Sequence, residues 1–187
     1  MPAALISRGE VLDHLTEAFR VHGFEGASIA RLSEATGLGK ASLYHYFHGG
    51  KQEMARAVVA HLGESFQRLV LAPLRTSGDP AQRLNAMILG VDQFYDRGEA
   101  ACIVDLFGIG GAGEMFREPL AGAVKAFTDA VAGVVAETGL PADLARRRAE
   151  DAFVALQGAL VVARATGDRT VFKRTLSEIP GRLLAAA

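Results

Sequence analysis

Lys40, Ser42, Tyr44 and His45 fall within six residues of one another, interleaved with apolar Leu43 and Phe47, and this order suits contact with nucleic acid. Leu43 and Phe47 are four apart and share the inner face of a helix, which turns Lys40, Ala41, Ser42, Tyr44 and His45 outward. Ala41 and Ser42 are small enough for such a helix to enter a major groove about 12 Å wide, where the Lys40 ammonium and the Ser42 and Tyr44 hydroxyls meet base edges or phosphates. Lys51, at the start of the next helix, is expected to reach a backbone phosphate. Ser28, Arg31 and Tyr46 complete the candidate DNA-contact set. No Asp or Glu lies between Glu34 and Glu53, whereas Lys40, His45, His48 and Lys51 do, so the local field is positive.

These residues need a scaffold, and the preceding segment supplies one. Ile29, Leu32 and Ala35 recur at steps of three on one side of a short helix that Ser28 can cap. That helix is expected to stop at Gly37, where glycine takes the left-handed conformation at little cost, and Leu38 plugs the angle before the second helix. Upstream, Val11, Leu12, Leu15, Ala18 and Phe19 form the inner stripe of a first helix ending near His22-Gly23. The pattern is a three-helix unit containing a helix-turn-helix.

The ordered run Ser28-Ile29, Leu32, Ala35, Gly37-Leu38, Ser42-Leu43-Tyr44-His45-Tyr46-Phe47 and Lys51 resembles the N-terminal signature of the tetracycline-repressor (TetR) family of bacterial regulators. Two departures stand out: Ser33 and Gly39 occupy positions where Ala and Ser are more usual, and Gly49-Gly50 lengthens the link to Lys51. The resemblance implies a homodimer joined through a final pair of apolar helices and a cavity for a small molecule that releases operator DNA.

The chain has 187 residues, is 50% apolar and carries a net charge of −1, so DNA binding must rest on a local patch. The apolar surplus suits an interface or an internal cavity. Cys102 is the single cysteine, which excludes an intrachain disulfide and fits a reducing compartment. The first residues lack the pattern of a signal peptide, and the apolar runs around 130–136 and 152–163 fall short of the ~18 residues of a membrane span; a soluble, cytoplasmic protein with no membrane partner is expected.

Helical periodicity continues almost throughout. A connecting helix is expected from Lys51 to about Leu71, then a turn at Ser77-Gly78-Asp79-Pro80 and a helix carrying Leu84, Met87, Val91, Phe94 and Tyr95. Long helices follow over about 114–137 and 142–166, with a last one from about Thr170. The predicted fold is all-α: a helix-turn-helix DNA-binding domain over residues 1–50 and a larger helical effector-binding and dimerisation domain over 51–187.

Leu156, Leu160 and Ala163, with Phe153, recur at helical spacing, and Phe172, Leu176 and Ile179 give the final helix a matching stripe. Two such helices from each of two copies would form a four-helix bundle; the alternative is that both stripes are buried within one chain. Phe94, Tyr95, Phe107, Phe116, Phe127 and Phe153 are candidate walls of an effector cavity, with Cys102 and Gln157 as polar contacts, which suits a mainly apolar effector.

Other chemistry is weaker. Gly108, Gly110 and Gly113 spell GxGxxG, with Asp129 about 20 residues beyond, but a dinucleotide site needs parallel strands and only the 101–107 stretch could pass for one. His45 and His48 lack an evident third metal ligand, and no nucleophile has an evident base, so no metal, cofactor or catalytic residue is expected. The rival functions are a redox regulator acting through Cys102 and a small helical binding protein or enzyme using the same cavity.

Overall fold

The computed structural model describes residues 6–108 and 112–186, and every regular element among them is helical. Helix α1 (Arg8–Gly26) begins with a reciprocal cap: Ser7 Oγ accepts from the Glu10 amide, and the Glu10 carboxylate accepts from the Ser7 amide. These bonds with Ser7 hold the Glu10 carboxyl below its ordinary range. Gly23, at φ 65° and ψ 174°, kinks α1 before its last short turn, a conformation that L side chains resist.

Helices α2 (Ile29–Thr36) and α3 (Lys40–Tyr46) follow, then α4 (Gly50–Phe66). The backbone of α4 widens into a π-helical turn, Gln67–Leu71, and runs on into α5 (Ala72–Leu74). Asp79 caps α6 (Pro80–Phe94), with Pro80 at the first position, where its missing N–H costs nothing. A tight turn at Asp96–Gly98 leads to α7 (Ile103–Phe107), then α8 (Ala112–Ala136), α9 (Ala142–Thr166) and α10 (Thr170–Leu184). The short 101–107 run is thus a helix from residue 103, not a strand.

The chain divides into two compact units: residues 1–62 with 103–117, and residues 63–102 with 118–187. The first takes in more chain than the 1–50 read from sequence. Its core explains why: Phe107 and Phe116, both buried, lie 5.5 Å from Phe19 and 6.1 Å from Phe24 respectively, with 4.9 Å between their own centroids. Val11, Leu15, Leu32, Leu43, Phe47 and Met54 are fully buried in the same unit. His61 Nε2 lies 2.8 Å from the Asp13 carboxylate, tying α4 to α1.

In the second unit α10 lies along α9 and against α6. The stripes read as a dimer seam are consumed here: Leu156, Leu160, Ala163, Phe172, Leu176 and Ile179 are all buried within the single chain. The expectation that these six face a partner is corrected. Left outside on α9 are Val154, 69% exposed, and Val161, 52% exposed, with Gly158 and Ala165 at the same helical spacing and Val162 beside them. Residues 113–136 are long and apolar enough to cross a membrane by length and composition, contrary to the sequence reading, which judged the runs around 130–136 and 152–163 and took only the end of this helix as apolar. Phe116, Leu120, Phe127, Val131, Val134 and Val135 of this helix are buried in protein.

Candidate nucleic-acid interface

The helix-turn-helix is held by backbone geometry and by three hydroxyls. Ser28 Oγ accepts from the Arg31 amide and caps α2, while Gly37, at φ 68°, ends it in the left-handed conformation. Ser33 Oγ donates to the Leu38 carbonyl at 2.6 Å, and the Leu38 amide donates to Thr36 Oγ1 at 3.3 Å. Thr36, itself buried, donates to the Leu32 carbonyl at 2.8 Å. Gly39 starts α3 with no side-chain cap. Ser33, singled out as a departure from the usual pattern, therefore has a definite place in the turn.

Leu43 and Phe47 are fully buried, as their spacing demands, and the opposite face of α3 is open: Lys40, Ala41, Ser42, Tyr44 and His45 are all exposed. Tyr44 is 47% exposed and Tyr46 half-buried, with its ring 6.3 Å from Phe47. His45 and His48 rings lie 6.3 Å apart, and among the described residues no group of three potential metal ligands includes them. The resulting face offers an ammonium, hydroxyls and imidazoles on a narrow helix, chemistry that matches base edges and phosphates.

Two predicted contacts are otherwise engaged. The Lys51 ammonium donates to the Phe24 carbonyl at 3.0 Å and sits 4.5 Å from the centroid of the Phe24 ring. The last turn of α1 has no basic residue of its own, so Lys51 supplies the cation that the free carbonyls there attract. Arg31 donates to the Gly26 carbonyl at 2.7 Å. Sequence reasoning missed both because the acceptors are backbone oxygens at a kink. Lys51→Ala is expected to lower stability by about 1–2 kcal/mol in chemical denaturation. Unchanged stability with a loss of about one unit in the salt slope of DNA binding would restore the phosphate role.

The structure separates the eight effector candidates. Phe107 and Phe116 lie in the core of the first unit, whereas the other six candidates lie in the second; helical spacing gives a face to each ring but not the unit in which it lies. Phe153, Phe127, Phe94 and Tyr95 form a chain of rings in the second unit, with Phe66 between Phe127 at 6.3 Å and Phe94 at 5.3 Å. Phe66 was missed, sitting in a connecting helix whose pattern reads as linker. Gln157 Nε2 donates to the Tyr95 hydroxyl at 3.4 Å, and the hydroxyl lies 3.5 Å from the Cys102 thiol. Cys102 is buried, which gives a dissolved oxidant no open approach. Half-buried Phe153 also lines an open groove of about 460 Å³ between α8 and α9, with Val124, Val154, Lys125 and Arg146.

The nucleotide fingerprint does not survive. Gly110 lies outside the described residues; Gly108 follows α7, Gly113 lies in the first turn of α8, and Asp129 is also on α8, where its carboxylate accepts from Lys125 and Arg146. The bond with Lys125 first, then Arg146, holds that carboxyl below its usual range.

Comparison with known proteins agrees with this geometry. Residues 11–58 match the N-terminal domain of the bacterial regulatory proteins, tetR family. The HTH-type transcriptional regulator YxaF of Bacillus subtilis is 27% identical over 94 residues, covering 50% of this chain and 49% of the relative. The HTH-type transcriptional repressor AcnR of Corynebacterium efficiens is 38% identical over 63 residues, 32% of this chain and 33% of that one. The chain thus spans half or less of the length of the curated relatives it matches. Among solved structures, a TetR transcriptional regulator from Legionella pneumophila has a TM-score of 0.79 at 15% identity, covering 97% of this chain and 98% of that one. The TetR family regulator CifR, solved as a cysteine mutant complexed with a 26-base-pair double-strand operator DNA, has a TM-score of 0.75 at 26% identity over 100% of both chains. The N-terminal residues thus match the tetR family of bacterial regulatory proteins, and the fold is shared along the whole length with solved TetR-type regulators.

Proposed function

We propose that this protein is a homodimeric, DNA-binding transcriptional repressor that releases a near-palindromic operator when a small, mainly apolar molecule binds its second unit. The observation that carries the reading is the open face of α3, with Lys40, Ser42, Tyr44 and His45 outward and Leu43 and Phe47 buried behind them. Two copies of such a helix held about 34–36 Å apart would engage successive major grooves. The repressor names of the AcnR relatives and the operator in the CifR structure support the same assignment. The cytoplasm, where DNA is met, is the corresponding compartment.

The partner surface that fits best is the outer face of α9, with Val154, Gly158, Val161 and Ala165 in one stripe. Small residues there permit close approach of helices, and a second copy presenting the same stripe would cover it with two-fold symmetry. The effector reading rests on the remaining ring chain, Phe94, Tyr95, Phe127 and Phe153, with Gln157 and Cys102 as its polar end. A coupling of about 1–3 kcal/mol between effector and operator would lower operator affinity about 5- to 150-fold.

Selection of bound duplexes from a random pool tests the reading, followed by titration of variants on the selected site. Lys40→Ala and Tyr44→Ala are each expected to weaken binding by about 1–3 kcal/mol while the helical spectrum stays unchanged. A wild-type protein that enriches no sequence, or variants that bind the selected site unaltered, would sink the assignment.

A further inference from the structure

We propose that Ser33 and Thr36 act as a hydroxyl clamp on the Leu38 peptide and thereby position the recognition helix; the proposal rests on the DNA-binding reading of α3. Leu38 is the middle residue of the three-residue turn between α2 and α3, and both of its backbone polar groups are held by side chains of α2. Its carbonyl accepts from Ser33 Oγ at 2.6 Å, and its amide donates to Thr36 Oγ1 at 3.3 Å. The hydroxyl of Thr36 is itself anchored to the Leu32 carbonyl at 2.8 Å, inside the core.

The clamp matters because Leu43 and Phe47 anchor α3 only from its inner face, while the turn before it is flexible in backbone. Gly37 and Gly39 flank Leu38 with the widest backbone freedom available, and Gly39 gives α3 no side-chain cap. Helix α3 has seven residues, too short to set its own direction. Its contact face must enter a groove in a defined orientation, and an error of an ångström in the path of Leu38 is carried directly to Lys40, Ser42 and Tyr44 two to six residues on. Ser33 and Gly39 are coupled in this view: the turn that lacks a capping hydroxyl at Gly39 carries a hydroxyl at Ser33 instead. Ser33 and Thr36 are thus positioning residues, acting through α3 without touching DNA themselves.

The test uses the full-length chain with three variants. Ser33→Ala removes the bond to the Leu38 carbonyl, Thr36→Val removes the other jaw at constant shape, and Ser33→Thr keeps a hydroxyl. The first readout is hydrogen exchange of the backbone amides over residues 38–46, which requires no DNA. Exchange is expected to quicken in Ser33→Ala and Thr36→Val and to return toward wild type in Ser33→Thr. The second readout is the ratio of affinities for the selected site and for random duplex, expected to fall about five- to tenfold in Ser33→Ala, as for loss of one hydrogen bond's worth of orientation, with affinity for random duplex unchanged.

Wild-type exchange rates in both removal variants overturn the clamp, as does faster exchange with an unaltered affinity ratio. Equal loss on selected and random DNA also overturns it, because that marks general unfolding instead of misorientation. If Ser33→Ala fails to fold, Thr36→Val carries the same comparison. If the wild-type protein itself enriches no DNA sequence, the DNA-binding reading fails and the positioning role falls with it, whereas exchange rates still report separately whether the hydroxyls hold the turn.

Discussion

Leu176→Glu is expected to unfold the second unit, whereas Val161→Glu is expected to leave it folded and monomeric. The two positions lie on adjacent helices, and only Leu176 belongs to the stripe expected as a seam; their surroundings differ. Leu176 is 4% exposed in the contact of α10 with α9 and α6, so a carboxylate there loses its water. An unpaired buried charge or a large cavity costs about 3–5 kcal/mol, a sizeable part of a domain's whole stability of about 5–15 kcal/mol. Leu160→Glu places the same charge on the facing side of α9 and should behave alike. Val161 is more than half exposed on the outer side of α9, so a glutamate there remains hydrated in the single chain and is buried only against a second copy. Thermal unfolding by circular dichroism separates the first outcome, and sedimentation velocity at micromolar concentration the second. A monomeric wild-type protein, or a Val161→Glu protein that sediments as the wild-type dimer, removes the outer face of α9 from the interface. Loss of operator affinity should accompany monomerisation, since a single α3 contacts only a half-site.

What the sequence made legible, and what it did not, follows the range of the interactions. Helix positions came from local rules: Ser28 and Asp79 cap, Gly37 and Gly167 terminate, and Pro80 starts a helix, all by contacts within a turn of chain. The outward face of α3 came from a spacing of four between Leu43 and Phe47. Partner choice was not local. The stripe of Leu156, Leu160 and Ala163 states that one side of α9 is buried, but the same stripe is written whether the cover is α10 or another chain. Likewise the apolar character of Phe107 and Phe116 gave no indication that they would join Phe19 and Phe24, some eighty to ninety residues earlier. Lys51 shows the same limit from the polar side, because its charge pattern pointed to phosphate while a kink at Gly23 presented it with backbone carbonyls. Ser33 was visible as an exception to the usual pattern, and only the path of the turn gave that exception a physical meaning.

Phe107→Ala is expected to destabilise the first unit by about 3–5 kcal/mol, the usual cost of emptying a large buried aromatic site. The ring is 1% exposed and lies within 5.5 Å of Phe19, 6.2 Å of Phe24 and 4.9 Å of Phe116, mostly in tilted or edge-on arrangements that aromatic quadrupoles favour. Its role is therefore distinct from that of Phe127, which lies in the second unit beside Phe153. Phe24 in turn carries the Lys51 ammonium on its ring and carbonyl, and it precedes the Gly26 carbonyl that Arg31 holds. Loosening Phe24 thus reaches the start of α2 and, through the turn, α3. Denaturant unfolding followed by the tyrosines of α3, Tyr44 and Tyr46, should show the loss in the first unit. Operator affinity in the same variant should fall, while Phe127→Ala should retain operator binding and require more effector for release. A Phe107→Ala protein with wild-type stability and wild-type operator affinity would show that residues 103–117 are not integral to the DNA-binding unit.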